Sequence, residues 1–318
     1  MKIAVFHQRM QENMQKVMVG KEAQITQVLT AFLCGGHILL EDVPGLGKTK
    51  LARSLSRSLN LPFARIQFTP DLLPSDITGV NVFMPNEGRF ELRKGPLMTS
   101  FVLADEINRA TPRTQSSLLE AMEESQVTID GETHALGQPF FVIATQNPIE
   151  TGGTFPLPEA QLDRFFMKLS LGYPSLEEEA TILSRFEGKD PLVDLESVVG
   201  TEDILAAMKE TEEVIVNDAV RNYILRLVHK TRTHSDLRMG VSPRGSLALF
   251  KGARAYAALL GRNYVLPDDV QALFVSVVAH RMILSGDARM RGKSTEDIAN
   301  EIVGKESVPM EDTNHHVD

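Results

Sequence analysis

The chain has 318 residues, 42% hydrophobic and 24% charged, ordinary for a globular protein and long enough for about two domains. Its 33 Lys plus Arg against 42 Asp plus Glu give a net charge of −9, a field that opposes nucleic acid as a partner. A single cysteine, Cys34, excludes an internal disulfide, suits a reducing compartment and reads as core filler; no apolar run reaches the roughly 18 residues of a membrane span.

In chain order, Ile3, Phe6, Met10, Met14 and Val17 recur at helical spacing and predict a packing helix. The same stretch has no long apolar segment or small-residue cleavage site, so secretion is not expected and the cytoplasm is. A helix over 21–32 leads to a short strand at 38–40. A glycine-rich turn, Pro44-Gly45-Leu46-Gly47, then opens a helix over 49–59. Further apolar strands read at 64–68, 101–104, 140–145 and 166–169, with a helix over 111–124 between two of them. Such alternation predicts an α/β fold whose parallel sheet is covered on both faces. Two hairpins interrupt it, one pairing 79–83 with 89–92, the other pairing 126–129 with 132–135 around Asp130-Gly131.

After Tyr173-Pro174 the strand signals fade. Helices are predicted over 176–186, 203–211, 218–232, 244–260 and 267–284, with Asn217 as a cap and Pro243 and Pro267 in first turns. A last helix over 296–303, capped by Thr295, precedes polar residues. The expected organisation is an α/β domain over 1–172 that includes the N-terminal helices, an all-α domain over 173–309 and a polar tail over 310–318.

Gly45-Leu46-Gly47-Lys48-Thr49 carries the strongest chemical signal. Glycines let a backbone wrap phosphates, and the helix that follows adds partial positive charge at the same place. Lys48 then reaches the β- and γ-phosphates of ATP, Thr49 offers its hydroxyl to Mg²⁺, and Lys50 is a further candidate for binding the nucleotide. The general pattern has glycine six residues ahead of Lys48; this chain has Asp42. Phe101-Val102-Leu103-Ala104 is an apolar strand ending in Asp105-Glu106. Asp105 suits Mg²⁺ through water, and Glu106 suits a general base. A third strand ends at Asn147-Pro148, which aims Asn147 at the same crevice, although Asn-Pro also starts ordinary loops. Histidines are scattered and suggest no metal cluster.

The runs Leu40 to Thr49, Ala104 to Ala110, Leu118 to Glu124 and Pro158 to Phe165 resemble the MoxR family of AAA+ ATPases, and the likeness extends from about Val19 to Val308. In that family Asp42 is unexceptional, and the hairpins match insertions of the same AAA+ branch. The resemblance implies that Asn147 is sensor 1, Arg164 an arginine finger acting on a neighbouring subunit's nucleotide, and Arg244 sensor 2 on a lid helix, contacting the γ-phosphate. It places Val19 and Gly20 against the adenine. It also implies a head-to-tail ring, a hexamer, that matures or activates partner protein complexes, often beside partners with von Willebrand factor A domains. Two other readings share the motifs: a nucleic-acid-associated motor, and a nucleotide-switched scaffold with negligible turnover. Threading through a pore is disfavoured, because Val82-Phe83-Met84 lacks the aromatic, apolar, glycine triplet of such pores.

Overall fold

A computed structural model describes residues 1–148 and 152–309; the predicted tail over 310–318, with His315 and His316, lies outside them. Five parallel strands form the central sheet in the order 63–67, 101–105, 141–146, 38–41, 167–169. Their side chains alternate between two cores. Ile38, Leu40, Phe101, Leu103, Phe141 and Ile143 face one; Leu39, Val102, Ala104, Val142 and Ala144 face the other. Burial on both faces is why these strands read as continuous apolar runs.

The first core continues through the helices Ile3–Met14, Glu22–Leu33 and Lys48–Ser58 into the helical half of the chain. The second is closed by the helix Pro112–Glu124 and by Ile77, Leu97, Val127 and Ile129 from the hairpin regions. Both hairpins form, Gly79–Met84 with Arg89–Lys94 and Gln126–Ile129 with Glu132–Ala135. Asp130 and Gly131 both take positive φ in the tight turn of the second. Phe83 and Phe90 on the first meet at a tilt, with 5.2 Å between centroids, and are exposed. Cys34 packs against the first core, and burial pushes its thiol pKa up to about 12, which keeps it protonated at neutral pH.

The helical half holds Leu176–Phe186, Thr201–Glu212, Asp218–Thr233, Pro243–Leu259, Pro267–Val278 and Thr295–Lys305. Asn217 caps as predicted, accepting the Val220 N–H at 2.8 Å, and Pro243 and Pro267 begin their helices. Two expectations are corrected. The helix predicted over 267–284 ends at Val278, because the chain turns there and Ile283–Leu284 pairs with a strand at Leu237–Met239. The last helix is capped by Ser294, not Thr295, since the Ser294 hydroxyl accepts the Asp297 N–H at 3.0 Å and Asp297 reaches back to the Ser294 N–H.

Candidate active site

The strand 38–41 ends at Glu41, and the chain turns through 42–47 into the helix that starts at Lys48. Gly45 and Gly47 hold φ values of 90 and 89, a left-handed backbone that requires glycine. Such a turn ahead of a helix N-terminus offers backbone N–H groups to an anion. The Lys48 amine donates to the Asp42 carbonyl at 2.7 Å. Burial pulls its pKa below the usual lysine value, while Asp42, Asp105 and Glu106 act in the opposite sense.

Asp42 fills the position where the general pattern has glycine. It is buried, and its carboxylate accepts from the Ser170 hydroxyl at 2.6 Å, the Leu171 N–H at 2.8 Å and the Gly172 N–H at 3.2 Å. The side chain therefore ties the loop to the segment leaving the edge strand, which a glycine cannot do. Beside it, Lys168 bridges Glu41 and Glu296 of the last helix, each at 2.9 Å. Burial opposes the Lys168 charge, but the two carboxylates outweigh it and raise the pKa.

Across the crevice, Asp105 ends a strand that is buried throughout. Its Oδ1 accepts from the Thr145 hydroxyl at 2.6 Å, and its Oδ2 from Arg65 Nη2 at 2.7 Å and Nε at 3.1 Å. Glu106 follows at φ 58, and its N–H donates to the same Thr145 hydroxyl at 2.9 Å. The Glu106 carboxylate accepts from Gln67 at 2.8 Å and pairs with Arg109 at 3.0 Å. One threonine on the neighbouring strand thus fixes both acids. Asn147, buried, leaves that same strand two residues later.

These groups surround a cavity of about 520 Å³, within the usual range for small-ligand sites. Its walls include Val19, every residue of 44–50, Asp105, Glu106 and Asn147, together with Lys21, Gly172, Pro174 and Ile182. Gly20 is not in the wall; it sits in the turn beside the Glu178 side chain. The helix 176–186 is held over this end by Arg185, whose guanidinium donates to the Gln15 and Lys16 carbonyls at 2.6 and 3.1 Å.

The sequence matches the ATPase family associated with various cellular activities (AAA) over residues 37–167 and the AAA lid domain over 229–302. A solved ATPase candidate from Cytophaga hutchinsonii superposes with a TM-score of 0.89 at 39% identity, covering 97% of each chain. The protein YeaC of Bacillus subtilis is 52% identical over 94% of both chains. Chaperone MoxR1 of Mycobacterium tuberculosis is 40% identical over 92% of this chain and 80% of its own. This chain belongs to the MoxR family of AAA+ ATPases.

In this MoxR-family ATPase the two remaining predicted residues lie elsewhere. Neither Arg164 nor Arg244 is in the cavity wall. Arg164 Nε instead pairs with Glu123 at 3.1 Å, and Arg244 Nη2 bonds the other oxygen of the same carboxylate. Next to them, Asp163 takes Arg281 at 2.8 Å and the Ser242 hydroxyl at 3.2 Å. Burial draws the Arg281 pKa down to about 10, with Asp163 opposing.

Sequence reading missed Thr145, Arg65, Gln67 and Glu123. Thr145 had a visible signal, a hydroxyl at the carboxyl end of an otherwise apolar strand. Arg65 and Gln67 alternate with Ile66, which marks one polar face of an edge strand aimed at the acids. Glu123 had none, because it is one of three acids in the last turns of its helix. Among the described residues no helix is long and apolar enough to cross a membrane. His37 and His280 are built into the cores: His37 bonds the Met122 carbonyl at 2.9 Å and accepts the Val142 N–H at 3.1 Å, and His280 lies at 3.1 Å from the Phe165 carbonyl.

Proposed function

We propose that this protein hydrolyses ATP with Mg²⁺ as a head-to-tail ring, a hexamer by family likeness, and uses the cycle to mature or activate partner protein complexes. The observation that carries the reading is the single cavity wall joining Lys48 and Thr49 to Asp105, Glu106 and Asn147. A relative 40% identical bears the name chaperone, which supports a protein client. By the resemblance stated above, that client acts beside a partner with a von Willebrand factor A domain, in the cytoplasm.

The residues present fit Mg²⁺-ATP. The Thr49 hydroxyl and Asp105 carboxylate are hard oxygen donors, the kind Mg²⁺ takes. Both Asp105 oxygens already accept protein hydrogen bonds, which suits contact through water. When bound, the ion neutralises charge on the β- and γ-phosphate oxygens. Lys48 gives up the Asp42 carbonyl for a phosphate oxygen, a stronger, charge-assisted partner. Glu106, oriented by Gln67 and Arg109, takes the proton of the attacking water, and Asn147 positions that water. Val19 and the Gly20 turn hold the base. Arg164 and Arg244, lying outside their own cavity, act on nucleotide in the neighbouring copy, where a guanidinium can raise the rate by roughly 10³ or more. Motion between the sheet domain over 1–172 and the lid over 173–309 carries the cycle to the client.

Lys48→Ala tests the site directly. ATP affinity, measured by titration with a fluorescent analogue, is expected to fall by about 10²-fold or more as a charge-assisted contact is lost. Unchanged affinity removes the reading.

A further inference from the structure

Glu123 occupies a position that fold stability does not explain. It lies in the last turn of the helix Pro112–Glu124, where a negative charge meets the negative end of the helix dipole. Arg244 lies in the first turn of the helix Pro243–Leu259, where a positive charge meets the positive end. Each is misplaced on its own helix, and each is matched by the other. The side chains of Glu123, Arg164 and Arg244 are 31%, 34% and 47% exposed, so their ion pairs contribute little to folding.

Their geometry suits a different task. Two guanidinium groups brought together repel unless an anion lies between them, and Glu123 supplies one oxygen to each. Its contact with Arg164 is through Nε and its contact with Arg244 through Nη2, so one carboxylate faces both guanidinium groups. The backbone supports of the two arginines are themselves tied together. Asp163, adjacent to Arg164, is tied to Arg281 and to Ser242, the cap of the Arg244 helix. Arg164 follows the short helix Glu159–Leu162 just ahead of the edge strand, and Arg244 belongs to the helical half. The carboxylate therefore adds a part-exposed joint beside the bonds that Asp163 makes to the helical half.

We propose that Glu123 is a positioning residue that holds Arg164 and Arg244 as one two-arginine face for the γ-phosphate bound in a neighbouring copy. The proposal rests on the reading that nucleotide sites are shared between copies. It makes the placement of the helical half a condition for the arginine pair to act, since movement of Arg244 pulls on the carboxylate that orients Arg164.

The test uses full-length Glu123→Gln and Glu123→Ala chains. Both are expected to bind ATP within about twofold of the parent, while kcat falls by about 100-fold and KM holds, the effect of misplaced reacting groups. Mixing either with Lys48→Ala chains, which supply an intact Glu123 and both arginines, is expected to restore several-fold of the lost turnover. A purely structural defect in the variant's own cavity is not repaired this way. Mixtures of Arg164→Ala with Lys48→Ala run alongside. Restoration there but not with the Glu123 variants overturns the role of Glu123 and leaves the shared site standing. Restoration in neither mixture removes the shared site and this proposal with it. Wild-type turnover in the Glu123→Gln chain, which keeps the shape and loses the charge, also overturns it.

Discussion

The acids at the cavity and the acid that holds the two arginines are kept in place by opposite means. Asp105 is buried at the tip of a central strand and receives hydrogen bonds from two neighbouring strands, through Thr145 and Arg65. Glu123 stands part-exposed at a helix end and reaches arginines from two different parts of the fold. Charges locked by one sheet cannot shift without disturbing that sheet. Those joined across separate elements can be rearranged at little energetic cost. The contrast teaches that the cavity acids and the paired arginines are built on different supports, and that mutation should separate them.

The largest effect that can break this comparison is expected from Glu106→Gln. It keeps the fold of the cavity and its ATP affinity but lowers turnover by about 10²- to 10⁴-fold, the range for loss of a general base. Single-turnover hydrolysis at the parental rate rules out that role and leaves the rigid side of the comparison without its chemistry. A middle-sized effect comes from Asp42→Gly, which restores the general loop pattern. Despite that, it strips the Leu171 and Gly172 N–H groups of their acceptor. A loss of about 2–4 kcal/mol in unfolding free energy is expected, seen as a lower urea midpoint. A stabilised chain contradicts the account of Asp42.

The smallest effect sharpens the link between the two regions. His37 joins the Met122 carbonyl, one residue before Glu123, to the strand that carries Thr145. Burial lowers its pKa to about 4 in the folded chain, from an ordinary value of 6.5. Between those values the unfolded chain binds a proton that the folded chain does not. Stability from this group is thus complete above pH 6.5 and is lost as pH falls toward 4, by about 3 kcal/mol at most. His37→Gln should flatten the stability curve in that window. His280, lowered by burial in the same direction, leaves a residual slope. An unaltered slope in the variant assigns the acid sensitivity elsewhere.

Much of the fold and of the cavity was legible in the sequence, because both are written in local patterns. Buried strands show as apolar runs, the Gly45–Gly47 turn as residues that tolerate left-handed backbone, and the acids as polar endings to apolar strands. Helix ends were less legible. Ser294 and Thr295 are both good caps, and Asp297, three residues after Ser294, is what decides between them. The run from Pro267 keeps helical spacing past Val278, yet tertiary contacts take over. Arg281 is drawn to Asp163 and the Phe165 carbonyl, and Ile283–Leu284 finds a strand partner far away in sequence. The pairing of Glu123 with Arg164 and Arg244 joins residues whose separation no period records. Their types are common on helix surfaces, so nothing local marks them out.

Glu106 carries one more consequence. Its backbone sits at φ 58, a conformation that costs a non-glycine residue about 1–3 kcal/mol, and Thr145 and the turn at Ile107–Arg109 hold it there. The aim of the carboxylate is thereby set when the chain folds. In the proposed reaction the base therefore starts from a backbone bend that folding has already made, which is preorganisation and not movement.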